Sequence, residues 1–367
     1  MRITTKRYAT RVVAFARAMG AQAQTPFWQP ANTDGGTVPA LAATGTTILA
    51  GTDGDGVYRS IDNGDNWAPS ALQGVNVRGL AISGGSGAAW AATYGDGAYR
   101  STDLFLSSAV AIAGEPDNLL SIAIASTNPS VGAGTDGNVF IGTDGDGVYV
   151  SSDNGASFAS FNLGLPANAI VRSLYVEPNG AGAGLNRLWA GTHGQGLYRL
   201  DYLAGPTLAG TAWVQANGTL DELDNAVVHA IAIDGGGNLF VGTSQGVYRS
   251  TNDGTSWTKL PDPDVDGKVI RSLLIYSDGV DDYILAGTDG DFVARATVVG
   301  ATLANGWTQY LGNPDPPNGL SGLQSRTILS LLFFDDLVFA GTMDRGVHRS
   351  ADYGETWDQV SAVLLNA

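Results

Sequence analysis

Arginine and histidine residues recur at one position of a short apolar segment that is repeated along the chain. The segments VRGL, VRSL, VHAI and IRSL place four such side chains at equivalent positions, which are Arg78, Arg172, His229 and Arg271. Guanidinium groups can hold a carboxylate or a sulfate through paired hydrogen bonds, so this series is a candidate anion-binding site. The alternative is that these arginines pair with acidic side chains of neighbouring repeats and have a structural role.

A second set of candidates lies in glycine-rich loops that follow the tripeptide A-G-T and its variants. Most of these loops are acidic, as in Asp53-Gly-Asp55 and Asp144-Gly-Asp146, but two of them carry Tyr94 and His193 in place of the first acid. A ring of such side chains could bind a cation or a polar ligand. Hairpin geometry alone also selects these residue types, and this second interpretation stays open.

One acidic loop does not belong to the repeats. Asp262, Asp264 and Asp266 alternate along the chain and are followed by Gly267. Alternate carboxylates before a glycine that permits a sharp turn can wrap a calcium ion with oxygen ligands. The later glutamate of an EF-hand is missing here, so the sequence leaves open a Ca²⁺ site and a solvated acidic loop, and it predicts no other cofactor.

These candidates are carried by a repeat that dominates the sequence. A segment of the type AGTDGDGVYRS, first seen from Ala50, occurs in seven copies, and each copy follows an alternating apolar run. Each unit predicts four short strands: the apolar run, a strand ending in A-G-T, a strand of the type GVYRS, and a last strand that often follows an aromatic residue. Units of this kind are typical of propeller blades. We therefore predict an all-β protein, a seven-bladed β-propeller with four-stranded antiparallel blades, as a single domain over residues 25–367.

The two ends of this domain both predict a fourth strand. Trp357 precedes the last one, and Trp28 stands at the matching interval before the first apolar run, which makes residues 27–33 a surplus strand. Such a strand could add to the closing blade, displace the C-terminal strand, or pair with another molecule. The last outcome would give a homo-oligomer.

Composition limits the classes of partner. The chain has 367 residues, 51 glycines, no cysteine and a formal net charge of −16, so disulfides and thiolate metal sites are excluded. Five basic and no acidic residues lie in residues 1–24, which leaves a net charge of −21 on the remainder. An acidic body of this kind disfavours nucleic acid, and no apolar run is long enough to span a membrane.

The N-terminal 24 residues predict an export signal or, alternatively, a basic tail. They have a basic start, a short apolar stretch at Val12–Ala16 and an A-x-A cleavage pattern ending at Ala23. An export signal would place the protein outside the cell or in the periplasm.

The turns before the last strands carry the pattern S-x-D-x-G-x-x-W or a close variant. In the four most complete copies the Asp position is occupied by Asp62, Asp153, Asn252 and Asp352. This pattern resembles the Asp-box, or bacterial neuraminidase repeat, of sialidases, sortilin-type receptors and two-propeller xyloglucanases. The resemblance implies a propeller and a structural role for the box, because the Asp side chain can accept backbone N–H groups within the turn while the glycine supplies a positive φ.

Catalysis of the sialidase type is not favoured by the sequence. Sialidases use an arginine triad, but no F/Y-R-I-P motif occurs near the N-terminus, and Tyr175 with Glu177 has no acid placed beside it. We therefore expect an exported, non-catalytic module that binds a protein or a glycan through the loop face. The alternatives are a glycoside hydrolase of sialidase or xyloglucanase type and a self-assembling extracellular protein joined through the surplus strand.

Overall fold

The computed structural model describes residues 36–83, 87–125, 137–182, 185–203, 209–210, 212–220, 222–299, 302–303, 306–310, 322–323 and 325–360. The strands form seven antiparallel sheets, which are the blades of a β-propeller ring, so the predicted fold class is confirmed. Within each blade the strands follow one another in chain order. The predicted export signal in residues 1–24 and the predicted strand in residues 27–33 lie outside the described residues.

Within the described residues, thirty strands make up the seven blades. Blade 1 contains β1 (Ala40–Thr44), β2 (Thr47–Gly51), β3 (Val57–Ser60) and β4 (Ala68–Pro69); blade 2 contains β5 (Val77–Ile82), β6 (Ala89–Thr93), β7 (Ala98–Ser101) and β8 (Val110–Ala111). Blade 3 contains β9 (Leu119–Ile124), β10 (Val139–Thr143), β11 (Val148–Ser151) and β12 (Ala159–Ser160); blade 4 contains β13 (Val171–Gly182), β14 (Leu185–Thr192), β15 (Leu197–Leu203), β16 (Ala209–Gly210) and β17 (Val214–Gln215). Blade 5 contains β18 (Val228–Ile233), β19 (Leu239–Thr243), β20 (Gly246–Ser250) and β21 (Thr258–Lys259). Blade 6 contains β22 (Ile270–Ser277), β23 (Asp282–Thr288), β24 (Val293–Val299), β25 (Thr302–Leu303) and β26 (Thr308–Tyr310); blade 7 contains β27 (Ile328–Phe334), β28 (Leu337–Thr342), β29 (Val347–Ser350) and β30 (Asp358–Gln359).

Blades 4 and 6 differ slightly from the four-stranded pattern. In each of them two short strands, β16 with β17 and β25 with β26, share the fourth position by pairing with different parts of the third strand. In blade 7 the fourth position is filled by β30, which pairs with β29. Among the described residues, the C-terminal strand therefore pairs within its own blade, and the three outcomes predicted for residues 27–33 stay predictions.

Burial differs between the strands of each blade and is greatest in the second strand. The second strand is buried along its length, as in β2, because it lies between two neighbouring blades. The outermost strands such as β4 are exposed and only two residues long. Short outer strands offer few free backbone groups to another chain, which limits edge-to-edge association.

The hydrophobic core is divided among the blade interfaces. Each of seven clusters of buried side chains joins two adjacent blades. The cluster that closes the ring contains Phe339 and Val347 of blade 7 with Val38, Ile48 and Ala50 of blade 1. Apolar burial between blades is thus the main stabilising term of the ring.

The repeated G-T dipeptide has two physical roles. The threonine hydroxyl donates to the carbonyl oxygen three or four residues ahead in every blade, as in Thr192 to Gly196 at 2.7 Å, and so closes the loop between the second and third strands. The glycine allows close approach of the next blade: a Cβ on Gly191 would lie 2.7 Å from a side-chain atom of Val228. The motif therefore encodes the contact between blades.

The S-x-D turns lie at the opposite end of the blades from the G-T loops, since they join the third strand to the fourth. In the turn of blade 3, Ser151 donates to Asp153 at 2.8 Å, and Asp153 accepts the N–H of Ser157 at 2.9 Å. The N–H of Gly155 donates to Ser151 at 2.7 Å. The corresponding contacts recur at Asp62, Asn252 and Asp352.

The arginines of the third strands reach from one blade to the S-x-D turn of the next. Their guanidinium groups donate to the carbonyl oxygen of the residue before the turn glycine, in the pairs Arg199 with Asp253 (2.9 Å), Arg295 with Tyr353 (2.9 Å) and Arg349 with Asn63 (2.6 Å). This series therefore stabilises the blade interfaces. In the part of the chain described, no helix is long and apolar enough to cross a bilayer.

Candidate functional site

A β-bulge positions the arginine and histidine series. Near the start of the first strand of blades 2 to 7, one residue is skipped in the pairing with the second strand. A bulge leaves its extra residue unpaired and changes the direction of the side chain. The skipped residues are Arg78, Leu120, Arg172, His229, Arg271 and Leu329.

The first strands contact one another around the ring, so the skipped residues lie together at one end of the central channel. All of them are half-buried. In blade 1 the matching place is held by Pro39, just before β1. We call this end of the channel, with the loops that surround it, the channel mouth.

The loop residues of the mouth are held by a repeated backbone contact. In each blade, the N–H of the residue after the G-T dipeptide donates to a carbonyl just before the first strand of the same blade, as in His193 to Ile170 at 2.9 Å. This contact brings each loop residue next to a bulge residue. The loop residues so placed are Asp53, Tyr94, Asp144, His193, Ser244, Asp289 and Met343.

Two of the three arginines of the mouth are paired with acids. Arg78 contacts Asp53 of blade 1 at 3.1 Å, and Arg271 bonds Asp289 through Nε at 3.0 Å and also through Nη2. The Arg271 guanidinium lowers the pKa of the Asp289 carboxyl, and a hydrogen bond from Thr327 acts in the same direction. These two arginines therefore pair with acidic side chains, as the structural alternative predicts.

Arg172 is different. Its Nε donates to Nδ1 of His193 at 2.8 Å, and among the described residues no carboxylate lies within ion-pair distance of its guanidinium. Burial lowers the pKa of Arg172, and the nearby charge of Arg271 lowers it further, while Asp144 opposes both. A half-buried guanidinium without an acid is costly unless a partner completes its hydrogen bonds.

The two histidines of the mouth are uncharged at neutral pH. Burial lowers the pKa of His229 to about 4, and Arg271, Arg172 and His193 all lower it as well. Burial and then the charge of Arg172 lower the pKa of His193. Because Nδ1 of His193 accepts the bond from Arg172, its proton is assigned to Nε2, where it can be donated to a ligand. Blades 4 to 6 thus form a cluster of hydrogen-bond donors and cations.

Tyr94 lies in the loop of blade 2, next to the acidic loop of blade 3. Its hydroxyl donates to Asp144 at 3.0 Å, and the Arg78 guanidinium lies 5.9 Å from the centre of its ring. The hydrogen bond to Asp144 raises the pKa of Tyr94. The Asp144 carboxylate, which could otherwise pair with Arg172, is therefore already hydrogen-bonded to Tyr94.

Asp262 and Asp266 of the predicted calcium loop have partners within the protein. The two oxygens of Asp262 accept the backbone N–H groups of Asp264, at 3.0 Å, and of Trp307, at 2.9 Å, while Asp266 pairs with Lys259. Among the described residues there is no group of three or more His, Asp or Glu side chains placed to hold one metal ion. The carboxylates of this loop instead fix its turn and join it to blade 6.

Tyr175 and Glu177 do not form a nucleophile pair. A carboxylate oxygen of Glu177 accepts the indole N–H of Trp189 at 3.0 Å, and Tyr175 packs against the buried cluster between blades 4 and 5. Burial raises the pKa of Tyr175, and the neighbouring Glu177 charge acts in the same direction. Both side chains therefore serve the packing of blade 4.

Sequence reasoning placed the candidate residues of the mouth correctly around the ring but did not separate Arg172 from the other two arginines. A signal for the difference was present. The loop of blade 4 reads His193-Gly-Gln195, whereas the loop of blade 6 reads Asp289-Gly-Asp291. In blade 6 the first loop acid, Asp289, neutralises Arg271. Blade 4 has no acid at the equivalent position.

No protein-family model matches the sequence, and no curated protein is significantly similar to it. Many solved structures share the fold. The extracellular domain of the hybrid two-component system BT3049 from B. thetaiotaomicron is 14% identical with a TM-score of 0.63 over 88% of this chain and 40% of that one. The GH74 enzyme of Niastella koreensis is 18% identical with a TM-score of 0.62 over 90% of this chain and 55% of that one.

YCF48, solved with a D1 peptide bound, is similar in length to this chain: it is 15% identical with a TM-score of 0.56 over 88% of this chain and 97% of YCF48. This chain therefore spans about half the length or less of the first two proteins and nearly all of the third. At such identities the similarity establishes the propeller fold alone.

Proposed function

We propose that this chain is an exported, non-catalytic binding module that captures an anionic group of a protein or a glycan at the channel mouth. The observation that carries the proposal is the half-buried guanidinium of Arg172, which has a histidine partner but no acid among the described residues. The equivalent arginines in blades 2 and 6 each have one.

The donors around Arg172 suit a carboxylate or a sulfate. The free nitrogens of its guanidinium form a planar pair of donors, and Nε2 of His193 supplies a third donor beside them. The nearby Arg271 adds positive potential although its own hydrogen bonds go to Asp289. An anion would gain these contacts with little reorganisation, because the backbone on which they stand is fixed by the bulge and the loop contact.

A binding function also agrees with what related propellers do. YCF48, which this chain matches over almost its whole length, has been solved with a peptide bound, and BT3049 contributes an extracellular domain. These similarities support two parts of the proposal: that the protein binds a ligand and that it is exported.

A hydrolase is less well supported by the mouth. A glycosidase needs one protonated carboxylic acid and one free carboxylate facing a groove. Asp53 and Asp289 are both paired with arginine, and the pKa of Asp289 is lowered, which is opposite to the requirement for a general acid. Self-assembly through residues 27–33 stays a prediction, because that segment lies outside the described residues.

The test is a binding measurement on wild type and on Arg172→Gln. The probes are an acidic peptide, acetylated hexa-glutamate, and an acidic glycan, hexa-galacturonate, each compared with its neutral form, hexa-glutamine or the methyl ester. We expect one acidic probe to bind to wild type. Arg172→Gln should lower the affinity for that probe roughly 10- to 100-fold, which is the loss expected for hydrogen bonds to a charged group. The neutral forms should bind weakly to both proteins.

Arg199→Gln is the matched control. It removes the same charge from the turn end of blade 4, where Arg199 donates to Asp253. We expect its affinity for the acidic probe to stay within about twofold of wild type, since surface charges so distant are largely screened. Absence of binding to both acidic probes, or equal losses in the two variants, would contradict the proposal.

A further inference from the structure

Two acids of the channel mouth, Asp53 and Asp144, occupy equivalent places beside an arginine of the following blade. Each forms an isolated β-bridge with the residue that stands two positions before that arginine, which is Arg78 for Asp53 and Arg172 for Asp144. The backbone therefore brings both acids to the same place relative to their arginines. Asp53 contacts Arg78 at 3.1 Å, but no ion pair joins Asp144 to Arg172.

The two acids differ in the loop residue of the blade that precedes them in the ring. For Asp144 this residue is Tyr94, whose hydroxyl donates to the carboxylate at 3.0 Å. For Asp53 it is Met343, which has no hydrogen to donate. The acid that is held by a tyrosine is thus the one that leaves its arginine without a carboxylate.

The Asp144 carboxylate is nevertheless close enough to act on Arg172. Nε of Arg172 donates to Nδ1 of His193 at 2.8 Å, so these two side chains form one unit. Burial lowers the pKa of both Arg172 and His193, and the charge of Asp144 opposes the shift in each case. Asp144 is therefore an anion that this protein itself can offer to Arg172.

We infer that Asp144 is an internal competitor for the anion site, and that the hydroxyl of Tyr94 keeps the site open by holding Asp144 away from Arg172. Without this hydroxyl, Asp144 pairs with Arg172 as Asp53 pairs with Arg78. Tyr94 is a positioning residue, which acts through Asp144 and not through contact with the ligand. The inference rests on the proposed function, because it takes Arg172 as the anion contact, and it adds how access to that contact is controlled.

The experiment is a double-mutant cycle of Tyr94→Phe and Asp144→Asn. It measures the affinity for the acidic probe that binds to wild type, acetylated hexa-glutamate or hexa-galacturonate. Tyr94→Phe keeps the ring and removes the donor, and it should lower the affinity roughly tenfold, because a hydrogen bond to a charged group contributes a factor of this order and the closed pair cannot bind the probe. In the Asp144→Asn background the same change should alter the affinity by less than about twofold, since the competing carboxylate is absent. Asp144→Asn alone should bind the probe at least as tightly as wild type.

A crystal structure of Tyr94→Phe without probe gives a second readout that needs no ligand. A carboxylate oxygen of Asp144 should lie within about 4 Å of a guanidinium nitrogen of Arg172, which is the distance of an ion pair. The matched control is Tyr283→Phe, because the Tyr283 hydroxyl also donates to a carboxylate, that of Asp278 at 3.1 Å, beside the hairpin between β22 and β23. Tyr283→Phe should leave the affinity within about twofold of wild type.

The outcomes separate this inference from the proposed function. If Tyr94→Phe lowers the affinity equally with and without Asp144, Tyr94 contacts the ligand itself and the inference is wrong. If Tyr94→Phe leaves the affinity unchanged, or if Asp144 stays apart from Arg172 in its crystal structure, the inference is also wrong, while the proposed function stands as long as Arg172→Gln weakens binding. If neither acidic probe binds to wild type, the proposed function fails and the inference fails with it.

Discussion

The S-x-D turns and the channel mouth are built by the same repeat at opposite ends of the blades, yet they vary in opposite ways. In the turns, side-chain contacts recur: a serine hydroxyl and an Asp or Asn oxygen accept the same backbone N–H groups in four blades. At the mouth the backbone contact recurs in every blade, while the side chains range from aspartate to methionine. Side chains that repeat stabilise the ring, and side chains that differ on a repeated backbone are free to serve a ligand.

Blade 2 shows how strict the turn end is. Its turn lacks the glycine, but Asp103 accepts the N–H of Ser107 at 3.0 Å, and the N–H of Phe105 donates to Ser101 at 2.8 Å, as in the other turns. Phe105 stands at the glycine position with a φ of 57° and is completely buried. It packs in the cluster that contains Leu49 of blade 1.

The reason lies in the preceding blade. In blade 3, a Cβ on Gly155 would lie 2.7 Å from the indole nitrogen of Trp90, so a large side chain in the neighbouring second strand requires glycine in the turn. In blade 1 the corresponding second-strand residue is the smaller Leu49, and Phe105 fills the space that remains. Between blades 1 and 2 the turn and the strand thus fill the interface together, whereas Gly354 in the turn of blade 7 also faces a leucine, Leu285, and leaves no room for a Cβ.

The largest effect is expected from Phe105→Gly, which gives blade 2 the residue that the other turns prefer. The change relieves a positive φ but leaves a cavity beside Leu49, and we expect a net loss of about 2–4 kcal/mol in the free energy of unfolding. Denaturant unfolding measures it. Leu106→Gly, at a neighbouring residue that is 63% exposed, should cost no more than about 1 kcal/mol. If the stability of Phe105→Gly is unchanged or increased, relief of the positive φ outweighs the loss of side-chain packing at this turn.

A smaller effect is expected from Asp153→Ala. The hydrogen bond from the Ser157 hydroxyl lowers the pKa of Asp153 to about 2, and further bonds from the turn act in the same direction against the effect of burial. Because the folded pKa lies below the unfolded value near 4, the carboxylate stabilises the fold above about pH 4 and loses this contribution as the pH falls towards 2. We expect a loss of about 1 kcal/mol at pH 7, since the group is exposed, and convergence with wild type near pH 2.

The control for charge removal is Asp96→Ala. Asp96 is exposed on the loop face and accepts no hydrogen bond from the described residues, so its removal should change the stability by less than about 0.5 kcal/mol. Binding of the acidic probes should be unchanged in Asp153→Ala. A loss of probe affinity there would mean that the two ends of the blades are coupled, and their assignment to separate roles would be wrong.

The fold could be predicted from the sequence because it depends on local, repeated signals. The A-G-T tripeptide and its variants mark the end of the second strand in each blade. Trp90 and Trp189 lie in β6 and β14, as their position before this motif predicts. The candidate site was predictable in place but not in pairing. Whether an arginine finds an acid depends on the bulge that aims it and on a loop residue about 20 positions away, as Arg172 and His193 show.

The loop in which calcium was predicted also shows the limit of a local pattern. The spacing of Asp262, Asp264 and Asp266 is a local signal, but the oxygens of Asp262 are used by the N–H of Trp307, which is 45 residues distant, as well as by Asp264. Lys259 neutralises Asp266. Contacts between blades therefore decide what the local pattern does.

The smallest effect at neutral pH is expected at the mouth itself, from His229→Asn. The folded pKa of His229 is about 4, below the unfolded value near 6.5, because burial and the charges of Arg271 and Arg172 disfavour its protonated form. Between these two pH values the unfolded chain binds more protons, so wild type loses stability as the pH falls through this window. Asparagine cannot take up the proton, and we expect His229→Asn to match wild type at pH 7 and to retain on the order of 1 kcal/mol more of its stability at pH 4.

His348 makes this experiment a test of the two roles. Burial lowers its pKa to about 4 as well, with a contribution from Arg345, but His348 lies in β29 at a position where five of the other six blades carry tyrosine. His348→Tyr should therefore remove a similar pH dependence without changing probe affinity. Only at His229 should the pH dependence shrink when an acidic probe is bound, because an anion on Arg172 offsets part of the positive potential that acts together with burial to keep this histidine neutral. An equal response of both histidines to the probe would show that the pH dependence reports global stability, and the electrostatic cluster of blades 4 to 6 would lose its distinction from the rest of the ring.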